Sequence, residues 1–94
     1  MKAVFTKATL DDLDQLLTYT SVNYPSLLAS VGQRIRDVIV HVEAWPENAR
    51  RVSGRQDVRV VPLIRYPYRI FYRVHAGRIE IVHIHHTARQ PWAE

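Results

Sequence analysis

Hydrophobic positions along this chain fall into two rhythms, helical as far as Trp45 and strand-like from Val58 onward. Between Lys2 and Lys7, Val4 and Phe5 stand among polar residues, which predicts a short first strand. Leu10, Leu13, Leu16 and Leu17 then recur at helical spacing and predict a helix from about Thr9 to Val22 with a buried leucine stripe. Thr9 and Asp12 have the spacing of a capping box, and Asp11 and Asp12 would lie in a first turn where the backbone dipole is positive. Asn23-Tyr24-Pro25-Ser26 interrupts this helix, since the residue before a proline avoids helical angles and the proline suits the start of the next one. Leu28, Val31, Ile35, Val38, Ile39, Val42 and Trp45 follow at intervals of 3, 4, 3, 1, 3 and 3, one broad apolar face that Pro46 ends. Two amphipathic helices with so short a break predict an antiparallel helical hairpin.

From Glu47 to Gln56 the chain is polar, with Ser53-Gly54 reading as a turn among the cations Arg50, Arg51 and Arg55. Three runs rich in β-branched and aromatic residues come next, Val58 to Val61, Tyr68 to Val74 and Ile79 to His85. His75-Ala76-Gly77-Arg78 is short enough to join the last two as a hairpin, and Pro62 and Pro67 make Leu63 to Tyr66 a poor strand. The order is β-α-α-β-β-β, an α+β fold in a single domain over residues 1–94, with an N-terminal strand and an antiparallel helical hairpin packed on an antiparallel sheet. Alternation along the central strand puts Tyr68, Ile70, Tyr72 and Val74 toward the helices and Arg69, Phe71, Arg73 and His75 on the opposite face.

A content of 47% hydrophobic and 23% charged residues suits a globular domain, and 94 residues bury only about 60 to 65% of the surface the unfolded chain exposes, so a stabilising partner is expected. Without cysteine there is neither a disulfide framework nor a thiolate metal site. No signal-peptide core follows Met1 and no run approaches the roughly 18 apolar residues of a membrane span, so the expected location is the cytoplasm. Charge is divided unevenly. Four basic residues face six acidic ones up to Ala49, whereas from Arg50 nine arginines face Asp57, Glu80 and Glu94, a balance of +6 that attracts nucleic acid or an acidic protein.

The densest chemistry lies at His83-Ile84-His85-His86-Thr87-Ala88-Arg89. Histidine moves protons near neutral pH and arginine holds phosphate, so with Arg69 and Arg73 these residue types match the needs of RNA cleavage by its own 2′-hydroxyl. Equally, His83 and His85 can be partly buried strand residues beside a solvated arginine face. A metal shared by His75, His83 and His85 lacks a further ligand, because alternation sends Glu80 to the other side. No metal or cofactor is expected. There is no phosphate loop, carboxylate pair or nucleophile elbow, and Trp45 and Trp92 read as packing residues.

Ala-Thr-Leu-Asp-Asp-Leu opening helix one, Asn23-Tyr24-Pro25, Trp45-Pro46, Pro67-Tyr68-Arg69-Ile70-Phe71-Tyr72-Arg73-Val74 and His86-Thr87-Ala88-Arg89 together resemble the RelE/ParE toxin superfamily over nearly the whole chain. The resemblance implies the toxin of a type II toxin–antitoxin system, the kind described as plasmid stabilisation proteins, neutralised by a cognate antitoxin. Two activities occur: RelE-like members cut mRNA on the ribosome, and ParE-like members inhibit DNA gyrase. RelE-type arginines fall on Arg69 and Arg89, which with His86 would be the catalytic residues of a nuclease; Arg55, Arg59, Arg69, Arg73 and Arg89 would otherwise form a basic face for a target. The RelE-type C-terminal tyrosine has no counterpart after Tyr72, and Lys2 and Lys7 are the only lysines. The His-x-x-Arg ending and the Asn-Tyr-Pro break are closer to ParE-like members, while Asn48-Ala49-Arg50 replaces the Gly-Arg often found after the helix-ending proline. The implied function is therefore gyrase inhibition, with mRNA cleavage or a non-toxic basic binding module as alternatives.

Overall fold

A computed structural model describes residues 1–87, the side chain of Gln56 aside. Strand β1 (Ala3–Phe5) leads into helix α1 (Lys7–Asn23), a single 3-10 turn (Pro25–Leu27) and helix α2 (Leu28–Ala44). Strands β2 (Arg50–Val52), β3 (Arg55–Pro62), β4 (Tyr68–His75) and β5 (Arg78–His86) follow. They form one sheet in the order β1-β5-β4-β3-β2, in which β1 lies parallel to β5 and the remaining neighbours are antiparallel. The α+β reading holds, and β2 is an added strand within the stretch expected to be a polar loop. Its arginines carry no alternation that a hydrophobic pattern can reveal. Gly54 at φ +81° makes the reversal, after which backbone pairing with β3 satisfies the strand.

Helix α1 begins two residues earlier than the leucine pattern indicates. Thr6, not Thr9, is its N-cap, accepting a hydrogen bond from the Thr9 N–H at 3.2 Å, and no acidic residue lies in the first turn. Leu10 is 52% exposed, so the buried stripe starts at Leu13. In α2 the buried positions are Val31, Ile35, Val38 and Val42, and Trp45, expected to pack, caps the helix while 63% exposed. Both helices cover the inner face of the sheet, where Leu63, Ile70, Tyr72, Ile79, Ile81 and Ile84 complete the core. Each fully buried aliphatic chain there contributes about 1.5–3 kcal/mol.

Alternation in β5 is broken at Val82. Phe71 of β4 stands opposite His83, yet Tyr72 stands opposite Ile81, so Val82 is an extra residue in the strand. Ile79 and Ile81 therefore face the helices while His83 and His85 face outward with Phe71 and Arg69. Glu80 shares that outer face, contrary to the expectation from simple alternation, because it stands opposite Arg73.

Strand β5 also outruns β1, whose pairing stops at Ile81. Helix α1 takes over from there. The Ile81 carbonyl accepts from the Thr6 N–H at 3.1 Å and the Thr9 hydroxyl at 2.6 Å, and the Asp12 carboxylate accepts from the Ile84 N–H at 3.0 Å. On the far side of β1, the Ala3 N–H donates to the Glu43 carboxylate at 2.9 Å. Among the described residues no helix is long and apolar enough to cross a membrane.

The β4–β5 turn holds Ala76 at φ +53° and Gly77 at φ +75°, the two left-handed residues of a type I′ hairpin. Gly77 accepts this conformation freely, but a Cβ makes it costly for Ala76. Ala76→Asn should raise stability by about 0.5–1 kcal/mol and Ala76→Val should lower it, as measured by urea denaturation.

Candidate functional site

Four of the residues singled out from the sequence belong to strands whose register fixes their side. Arg69, Arg73 and His85 share the outer face, whereas His86 stands opposite Tyr68 on the inner face, its ring edge-on to that tyrosine at 5.1 Å between centroids. Arg69 and His86 therefore project to opposite sides of the sheet and do not converge on one substrate. Arg89 lies outside the described residues, as does Trp92.

Arg59 leaves the expected basic face altogether. It stands opposite Tyr72, and its guanidinium donates to the carbonyls of Glu47 at 3.0 Å and Ala49 at 2.8 Å. Beside it the Tyr72 hydroxyl donates to the Pro46 carbonyl at 2.7 Å. Burial pushes the Tyr72 phenol up, with the Arg59 charge and the Ala49 N–H opposing it. Both side chains thus pin the loop after α2. With its ring buried in the core and its hydroxyl committed to the Pro46 carbonyl, this phenol does not face a surface where a substrate could bind.

The outer face is not uniformly basic. Val58, Val60 and Phe71 form a small second core there, with Val52 and Val82 packed against it. Arg73 is tied at the margin, its Nε donating to Glu80 at 2.9 Å and its head lying 3.7 Å from Asp57, and Arg78 approaches Glu80 at 3.2 Å. Arg69 is exposed and makes no ion pair with a described residue. Arg55 is exposed at the start of β3.

A hydrogen-bonded chain crosses the edge of this face. His83 Nδ1 lies 2.6 Å from the Asp12 carboxylate, and His83 Nε2 lies 3.2 Å from His85 Nδ1. When neutral, His83 donates through Nδ1 to Asp12, so its Nε2 accepts and His85 must donate through Nδ1. His85 Nε2 is left as an acceptor, buried and without a hydrogen-bond partner among the described residues. The chain anchors two imidazoles against Phe71, with ring centroids 6.1 and 6.4 Å away. A buried acceptor does not reach a bound phosphate, so the packing role of His83 and His85 is the one the geometry favours. Asp12 escapes sequence reasoning because its partners are more than seventy residues away; its own position in a helical turn offers no hint. Among the described residues no group of three or more His, Cys, Asp or Glu side chains is placed to hold a metal ion.

The model of the family described as the ParE toxin of type II toxin–antitoxin systems, parDE, matches residues 3–91. The chain belongs to the ParE toxin family. A solved structure described as the chromosomal ParDE toxin–antitoxin system from P. aeruginosa is similar, with a TM-score of 0.79 and 25% identity over 92% of this chain and 95% of that one. A YoeB/ParE toxin from Agrobacterium tumefaciens shares the fold, with a TM-score of 0.62 and 18% identity over 92% of this chain and 98% of that one. No curated relative matches. The chain is thus a ParE-like type II toxin, and the RelE/ParE resemblance read from its motifs holds on its ParE side.

In this ParE-family toxin the seam between α1 and β5 and the arginine–glutamate cluster are open to test. Asp12→Ala should lower stability by about 1–3 kcal/mol and speed hydrogen exchange at the Ile84 amide, because a buried donor loses its acceptor. The Arg73 hydrogen bond, with help from Arg78 and against burial, holds the Glu80 carboxyl below the usual carboxylate range. The folded protein then binds this proton less readily than the unfolded chain. Glu80 stabilises the fold above about pH 4–5, and the contribution is lost as pH falls through the lowered pKa. Glu80→Gln should lower the melting temperature at neutral pH and flatten its decline below about pH 5 in a pH series of thermal scans.

Proposed function

We propose that this ParE-family toxin inhibits DNA gyrase and is held in check by an acidic, partly disordered segment of a cognate antitoxin. The observation that carries the reading is that, among the described residues, no exposed pair of proton donor and acceptor converges on Arg69: His86 points to the other face, His85 stands opposite Arg69 but is hydrogen-bonded to His83 with its Nε2 buried, and Tyr72 is in the core. A ribosome-dependent nuclease of the RelE kind needs such groups on the phosphate. A toxin that acts by binding a protein needs only a surface, and the outer face offers Arg69 and Arg55 around an apolar strip.

Support for the antitoxin comes from the likeness to the ParDE toxin–antitoxin system of P. aeruginosa and from exposed apolar surface on the helices. A groove of about 380 Å³ opens between α1 and α2, lined by Phe5, Leu13, Leu17, Ile35, Ile39 and Val40. A partner segment folding there would bury this surface and raise the stability of the toxin by mass action.

Purified toxin should abolish supercoiling of relaxed plasmid by gyrase, and added antitoxin should restore it. Arg69→Ala should weaken inhibition by about five- to tenfold without changing the melting temperature, as a charge at the edge of an interface acts on association. Intact supercoiling together with ribosome-dependent cleavage of mRNA would refute the proposal in favour of the nuclease. Harmless overexpression without antitoxin would point to a basic binding module instead.

A further inference from the structure

Surface loops are ordinarily the least fixed part of a small domain. The loop from Trp45 to Ala49 is an exception. Trp45 donates its N–H to the His41 carbonyl at 2.9 Å, and its own carbonyl accepts from the Asn48 N–H at 3.1 Å. The Pro46 carbonyl accepts from the Tyr72 hydroxyl at 2.7 Å, and those of Glu47 and Ala49 accept from the Arg59 guanidinium at 3.0 and 2.8 Å. Tyr72 is wholly buried, so its hydroxyl ties the loop to the packed interior.

What this fastening holds in place is an indole in water. Trp45 is 63% exposed, which leaves most of a large apolar side chain unburied. An aromatic side chain on a backbone already fixed loses little freedom when another protein covers it, and such side chains dominate the energy of interfaces.

The loop runs directly into β2, where charge is available. Arg50 and Arg51 are exposed and make no ion pair with a described residue. Arg50 stands opposite Val60 of the outer apolar strip, and Arg51 stands opposite Arg59 on the side of the loop. The two arginines therefore carry the basic outer face round the edge of the sheet toward Trp45.

We propose that Trp45 is the anchor of the target-binding surface, an indole for an apolar pocket on gyrase whose rim carries carboxylates for Arg50 and Arg51. The proposal rests on the gyrase reading and names the side chain on which that binding turns. Burial of the indole supplies affinity, and the arginines steer the approach of an acidic partner.

The test uses the whole toxin and intact gyrase. Trp45→Ala should raise the dissociation constant for gyrase about thirtyfold, and the concentration that inhibits supercoiling in parallel, while the melting temperature stays within a few degrees. Ile64, 61% exposed between β3 and β4, is the control, and Ile64→Ala should leave binding as it was. The double variant Arg50→Glu, Arg51→Glu should slow association about tenfold and reduce its dependence on salt. Hydroxyl-radical footprinting of the unaltered toxin, read by mass spectrometry, should show Trp45 shielded from oxidation in the gyrase complex. Full-strength binding by Trp45→Ala, an equal loss from Ile64→Ala, or a Trp45 that stays oxidisable in the complex would each overturn the proposal and leave gyrase inhibition standing. Shielding of Trp45 by antitoxin but not by gyrase would also overturn it and assign the surface to the antitoxin. A toxin that neither binds gyrase nor stops supercoiling would overturn both readings together.

Discussion

The backbone of β5 beyond Ile81 needs hydrogen-bond partners that no neighbouring strand supplies, and helix α1 provides them. A strand left open in the middle of a protein would carry buried, unpaired amides at a cost of about 1–3 kcal/mol each. Thr6, Thr9 and Asp12 meet that demand within the first two turns of one helix. The helical layer is therefore attached to the sheet by polar bonds at its rim as well as by the leucine and isoleucine core beneath it. The rim bonds set direction. Apolar packing alone tolerates sliding of a helix along a sheet, whereas a carboxylate shared by a backbone amide and an imidazole does not.

The same seam decides the arrangement of the histidines. An extra residue at Val82 turns His83 and His85 outward, and Asp12 is then within reach of His83. Without the extra residue, a register fixed at the histidines would set Glu80 opposite Val74 on the inner face and dissolve its pairing with Arg73. What looked in the sequence like a cluster of three histidines poised for proton transfer is split between two faces. Two of them are held by the scaffold, and the third packs on a tyrosine.

Both helices, the three longer strands and the hairpin at Ala76-Gly77 were legible from periodicity and turn chemistry, because burial of one face imposes a period that survives in the residue types. The side assignments of Arg69, Phe71, Ile70 and Tyr72 in β4 were legible for the same reason. The features that escaped share another property: they depend on backbone partners. Strand β2 is made of arginines and a valine, and its identity comes from the strand beside it. Arg59 reads as one more surface cation, and only the carbonyls of Glu47 and Ala49 make it a fastening for a loop. The N-cap moved from Thr9 to Thr6 since both threonines suit the role and only one has the extended backbone it requires. The bulge at Val82 has no compositional signal, and it overturned the sides expected for Glu80 relative to the histidines. Of the candidate site, the residue types were visible and their convergence was not.

Strand β1 pairs with β5, Ala3 standing beside Ile79. During synthesis the opening residues must wait for nearly the whole chain before their partner strand leaves the ribosome. The rim bonds from Thr9 and Asp12 wait for the same event, so β2, β3 and β4 can pair locally while closure with β1 joins distant parts of the sequence. A fragment ending before β5 would leave β1 without its neighbour, and Thr9 and Asp12 without the backbone groups they bind.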